Sequence, residues 1–169
     1  MDILVIVDPW KHLFQRDRLA FPDLQEEVKS FGVFLNTVCK IERKKGTKII
    51  FSLTSKYEDG DEFGDIMDEI EVFPEDLKSY TVGVAGILED MKKNKIEINE
   101  IYFAGFHFGR CIHDHAKSSG IPEEIGLNIV INLSLLYPAD LWVDRIKEHG
   151  VEQYNYCLWS QHGVERIEL

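Results

Sequence analysis

The chain opens on an unbroken apolar run, Ile3-Leu4-Val5-Ile6-Val7, closed by Asp8-Pro9. A continuous β-branched stretch of this length fits a strand covered on both faces, as in parallel sheets, and the proline stops it. The period then changes. Between residues 22 and 45, Leu24, Val28, Phe31, Leu35, Val38 and Ile41 recur three and four apart, which predicts an amphipathic helix. Pro22 and Asp23 start it, Lys40, Arg43, Lys44 and Lys45 fill its last turns, and Gly46 ends it, as the helix dipole and C-cap geometry favour. Residues 47–53 (TKIIFSL) predict a second buried strand. The acidic stretch 56–76, with Gly60, Gly64 and Pro74, predicts a loop carrying one short helix around 65–70. A helix over 81–94, a strand over 101–105 and a helix over 109–119 follow, the last broken by Gly120 and Pro122. A strand over 127–133, a helix over 138–148 and a strand over 153–158 complete the chain.

Strands alternate with helices throughout, which predicts an α/β fold: a three-layer α/β/α, Rossmann-like domain spanning 1–169 with a mainly parallel, doubly wound sheet. A length of 169 residues suits one domain, and 44% apolar with 29% charged residues is ordinary for a globular protein. The net charge of −11 argues against a nucleic-acid or anionic-membrane surface, either of which needs a basic face. No apolar run approaches the roughly 20 residues of a membrane span. Met1-Asp2 ahead of the first strand is not a signal peptide, and three widely spaced cysteines, Cys39, Cys111 and Cys157, suggest free thiols in a reducing compartment. The expected location is cytoplasmic.

In open parallel sheets ligands bind beyond the carboxyl ends of the strands. Those positions hold Asp8, residues 54–56, the turn Phe106-His107-Phe108-Gly109-Arg110-Cys111, and Ser134. Cys111 would lie in the first turn of a helix, where free N–H groups and the dipole favour a thiolate and can hold an oxyanion. A free cysteine is equally at home as a small buried apolar residue. Cys111 and His115 share a helix face, while His113 points elsewhere; one converging pair is too few for zinc, so no metal is expected. The run Glu58 to Glu62 lacks EF-hand spacing, and no Gly-rich phosphate loop is present, so no cofactor is expected either.

Taken together, these residues resemble the isochorismatase-like cysteine hydrolases, the superfamily of nicotinamidases and N-carbamoylsarcosine amidohydrolases. The resemblance rests on the opening strand ending in Asp8 and on the spacing Gly105, Cys111, Ala116. Gly120, the apolar strand 127–133, the helix 138–148 and Gly150-Val151 follow in the same order. It implies a Cys nucleophile (Cys111), an Asp proton acceptor (Asp8) and a Lys supporting the thiolate, best matched by Lys78 with Lys56 as the fallback. It also implies a cis peptide between Phe106 and His107, an oxyanion and substrate site near His107, Phe106 and Trp10, and a homo-oligomer, for which Trp142 and Trp159 offer interface aromatics. Trp10 stands where the superfamily usually has a polar residue, and the Asp-x-His metal motif of nicotinamidases is absent after the second strand, where Ser52 to Tyr57 reads SLTSKY. Bulky Phe106, His107, Phe108 and Arg110 replace the usual small residues of the nucleophile turn.

The expected function is a cysteine-dependent hydrolase of a small molecule, cleaving an amide-like C–N bond. The competing expectation is a catalytically silent binding or assembly protein of the same fold. A flavodoxin-like or Rossmann nucleotide binder shares the architecture but needs the phosphate loop this chain lacks.

Overall fold

The computed structural model describes residues 1–11, 25–53, 66–80, 83–122, 125–136 and 154–168. In these, the elements run β1 (Ile3–Val7), α1 (Gln25–Lys45), β2 (Lys48–Ser52), β3 (Leu77–Ser79), α2 (Ala85–Lys93), β4 (Ile101–Phe108), α3 (Cys111–Lys117), β5 (Asn128–Leu136), β6 (Asn155–Ser160) and β7 (Gly163–Ile167). They build a seven-stranded sheet in the order β3-β2-β1-β4-β5-β6-β7. All neighbours are parallel except β6 and β7, which form an antiparallel edge hairpin.

The apolar runs of β1 and β2 are continuous because both faces of the sheet are covered. Leu4, Ile6, Ile49, Phe51, Ala104 and Phe106 pack against Val28, Leu35, Val38 and Cys39 of α1. Ile3, Val5, Val7, Ile50 and Phe103 pack on the other side against Leu88 and Met91 of α2 and Ile112 and Ala116 of α3. This is the doubly wound α/β arrangement that the alternation predicts.

One expectation is corrected and two strands were unforeseen. Residues 66–70 hold a bridge from Ile66 to Trp10 and a turn rather than a helix. The short strand β3 follows instead, carrying Lys78, and the hairpin strand β7 adds an unforeseen edge. The expected helix at 138–148, with Trp142, lies outside the described residues, as does Lys56.

The chain leaves β1 toward β2 on one side, whereas β4 lies on its other side, so strand order reverses between β1 and β4. Such a switch point is where open α/β sheets form their ligand crevice. Gly105 lets the two strands meet there. Its φ is +111°, and a Cβ would stand 2.6 Å from the Val7 carbonyl oxygen and 2.8 Å from the Val7 nitrogen. Only glycine fits both the backbone conformation and the approach.

Candidate active site at the β1–β4 switch point

Asp8 follows β1 directly, in the left-handed region at φ 47°, a conformation that Asp tolerates better than most residues. Its amide donates to the Ser52 carbonyl at 2.9 Å, which fixes the end of β1 against the end of β2. The side chain is buried at 1% exposure. Across the switch point, the expected cis peptide joins Phe106 and His107, and β4 then turns through Gly109 (φ 81°) into α3. Cys111 is the first residue of that helix and is half-buried.

The Asp8 carboxylate faces the Cys111 thiol closely enough to act on it by charge and by hydrogen bonding. Burial, then the Asp8 charge, then that hydrogen bond push the thiol pKa from 9.0 up to about 12, and the nearby Arg110 only partly opposes them. This corrects the expectation of a resting thiolate. A helix of seven residues offers a modest dipole, and desolvation beside a carboxylate outweighs it. At neutral pH the sulfur carries its proton, and the Asp8 carboxylate beside it is placed to accept that proton.

His115, one turn after Cys111, completes the cluster. Its Nε2 is 3.6 Å from Asp8 Oδ2, and its Nδ1 is 2.8 Å from Ser52 Oγ. Both partners of the Asp8–His115 pair are at most 2% exposed in their side chains. Burial lowers the His115 pKa against the opposing pull of Asp8 and Asp114, so the imidazole is neutral at pH 7. Helical spacing puts His115 on the Cys111 face, but it does not reveal that this face turns toward Asp8. Ser52 escapes sequence reasoning as well; its one signal is its place as the last residue of β2, at the strand's carboxyl end.

The remaining expected site residues divide. Phe106 is fully buried and meets Phe31 of α1 edge-on at 5.4 Å, and Trp10 is buried in the same cluster. Both side chains therefore belong to the core beneath the site. His107 is buried at 4% exposure and sits edge-on to Phe106. Lys78 is exposed on β3, where it pairs in register with Phe51. Register partners share a face, so Lys78 lies on the α1 side of the sheet while Cys111 packs with the α2–α3 cluster. Among the described residues, the charges acting on the thiol are those of Asp8, Arg110 and Asp114.

His113 braces the turn from behind. The Gly109 amide donates to its Nδ1 at 3.1 Å, its Nε2 lies 3.3 Å from the Tyr156 hydroxyl, and the Tyr154 hydroxyl donates to its carbonyl at 3.4 Å. The Arg110 amide donates to the His107 carbonyl at 3.2 Å. Two of the turn's amides are thereby committed to holding its shape. Among the described residues, no group of three or more His, Cys, Asp or Glu side chains is arranged to hold a metal ion. No helix among them is long and apolar enough to cross a membrane.

Fold and site together define a doubly wound α/β protein with a cysteine–aspartate pair at its switch point. No family model and no curated protein matches the sequence. Solved structures do match the fold. The pyrazinamidase of Pyrococcus horikoshii, solved in complex with zinc, aligns with a TM-score of 0.68 at 10% identity, over 94% of this chain and 99% of that one. An isochorismatase-like hydrolase from Alkaliphilus metalliredigens aligns at 0.68 with 8% identity, over 93% and 94%. A cysteine hydrolase from Pseudomonas syringae aligns at 0.64 with 12% identity, over 92% and 87%. The chain has the isochorismatase-like fold.

Proposed function

We propose that the protein is a cysteine-dependent hydrolase that cleaves an amide-like C–N bond of a small molecule. The observation that carries this reading is the pairing of the Cys111 thiol with the buried Asp8 carboxylate, which acts on it by charge and hydrogen bonding at the switch point. A protonated thiol needs a base at the moment of attack, and Asp8 is in contact with it. Cys111 Sγ bonds to the carbonyl carbon, the thiol proton passes to Asp8, and the carbonyl π pair moves onto oxygen. Collapse of this intermediate breaks the C–N bond, and Asp8 returns the proton to the leaving nitrogen. Water then attacks the thioester carbon, giving its proton to Asp8; collapse breaks the C–S bond, releases the acid product, and Asp8 returns the proton to Sγ. The amides of His107 and Cys111, at the two ends of the turn, would meet the oxyanion. Lys78 has no part in this scheme, because the sheet register carries it to the opposite face.

The test is a panel of small amides, ureas and carbamoyl compounds, with an activated ester as an acylation probe. Turnover and a Cys111 acyl adduct by mass spectrometry should be seen in the wild type. Both should vanish in C111A and D8N and persist in K78A. Turnover that survives in C111A rejects the assignment.

A second reading, a binding or assembly protein with a structural Cys111, is favoured by one observation: burial holds the thiol at about 12, far from the acidic thiol of a pre-activated nucleophile. It stands if the wild type neither turns over the panel nor accepts an acyl group.

A further inference from the structure

Ser52, His115, Asp8 and Cys111 form a row across the carboxyl ends of β2 and β1 and the first turn of α3. We propose that His115 is a positioning residue for Asp8, held by Ser52 in the tautomer that points an N–H at the carboxylate. The inference rests on the reading of Asp8 as the base for Cys111.

The order of contacts sets the proton positions. Ser52 Oγ lies 2.8 Å from Nδ1, a normal hydrogen-bond length. A serine hydroxyl can donate or accept, but a neutral imidazole carries one N–H. If the hydroxyl donates to Nδ1, the ring proton sits on Nε2, the nitrogen that faces Asp8 Oδ2 at 3.6 Å. The opposite tautomer would turn a lone pair toward the carboxylate in a buried site, which is repulsive. At 3.6 Å the contact is a dipole facing a charge rather than a formed hydrogen bond, and it strengthens with the negative charge on Asp8.

The consequence is electrostatic. When the Cys111 proton passes to Asp8, the negative charge of the pair moves from the carboxylate to the sulfur, beside the His115 ring. Among the described residues, the charged groups acting on His115 are Asp8 at the end of β1 and Asp114 on α3. With the imidazole neutral, it adds no competing positive charge that would spoil Asp8 as a base. Its N–H still stabilises the singly charged Asp8–Cys111 pair.

Alkylation of Cys111 by iodoacetamide, followed by peptide mass spectrometry from pH 4 to 9, gives the pH profile of the thiol's reactivity. The acid limb of this profile should move to higher pH in H115L, by about one unit, so that the rate on the limb falls about tenfold. H115Q, whose amide can again accept from Ser52 and donate to Asp8, should restore the wild-type limb. Nitrogen-15 spectra of the His115 ring should show the Nε2–H tautomer in the wild type and a shift toward Nδ1–H in S52A, with the limb moving the same way. An unchanged limb in H115L overturns the proposal, as does an Nδ1–H tautomer in the wild type. If H115L does not fold, S52A decides alone: an unmoved limb rejects the proposal. The hydrolase reading is scored separately, by turnover and acyl-adduct formation. A chain without turnover can still show the shifted limb, and an active one can fail to show it.

Discussion

Replacing Asp8 by asparagine should move two properties of Cys111 in opposite directions. The carboxylate acts on the thiol as a negative charge and as a hydrogen-bond acceptor, and both raise the thiol pKa beyond what burial does. The asparagine side chain in D8N is nearly isosteric but uncharged, so the burial contribution stays and the Asp8 contributions go. A charge in contact with a titrating group shifts it by about 1–3 units, and the half-buried position of Cys111 places this pair at the low end of that range. The thiol titration should therefore fall from about 12 toward roughly 11 in D8N. Near pH 9 that is about tenfold more thiolate.

At neutral pH the effect should reverse. The wild-type sulfur reacts by handing its proton to Asp8, whereas the variant has no acceptor and only a trace of thiolate. Thiolate absorbance near 240 nm, with C111S subtracted to remove the tyrosines and the other two thiols, reads the first property. Iodoacetamide alkylation of Cys111 at pH 6.5 reads the second. A later titration in D8N would refute the charge argument. An undiminished alkylation rate at pH 6.5 would refute Asp8 as the base.

Two further outcomes follow from the packing. G105A should lose about 2–4 kcal/mol, because its Cβ meets the Val7 backbone at 2.6 and 2.8 Å in a φ region that alanine avoids. A urea midpoint within a few tenths of a molar of wild type would contradict it. The second concerns pH. His115 is buried with a pKa below its ordinary 6.5, so the unfolded chain binds its proton more tightly than the folded one. This contribution makes stability fall as pH drops through about 6.5 and leaves it level above. H115Q should flatten that part of the stability profile in urea titrations at pH 5, 6 and 7.5, and an equally steep H115Q profile would show the loss to come from another group.

The fold is legible because buried parallel strands announce themselves as continuous apolar runs. Ile3 to Val7 appears at its expected bounds, the strand expected over 101–105 runs on through Phe108, and α1 shows the amphipathic spacing that Val28, Leu35 and Val38 set. What escapes is short or two-sided. β3 is three residues long, with a lysine in the middle, so it has no apolar run to read. β7 (GVERI) has mostly polar edge positions and is held by its antiparallel pairing with β6. Residues 66–70 look helical in the sequence, but Ile66 is drawn into a bridge with Trp10, and the Met67 amide donates to the Pro9 carbonyl. Long-range pairing of this kind leaves no local period.

The candidate site shows the same division on a smaller scale. Asp8 and Cys111 are legible because each follows an element end that the apolar pattern marks. Lys78 is legible only as a residue type before a helix, and the register that puts it beside Phe51 depends on how far β3 slides along β2. A shift of one position would reverse its face. His115 is half legible, since helical spacing gives its alignment with Cys111, while its meeting with Asp8 and Ser52 depends on three strand ends lying level. The Asp8 amide bond to the Ser52 carbonyl and the close β1–β4 approach at Gly105 supply that levelling. The proposed base therefore stands beside a neutral imidazole from the nucleophile's own helix, and exchanging that imidazole for a permanent cation would weaken the base. In H115K the acid limb of Cys111 alkylation should accordingly fall to lower pH, opposite to H115L, while the plateau rate drops. A limb that moves up in both variants would mean that His115 acts by packing alone.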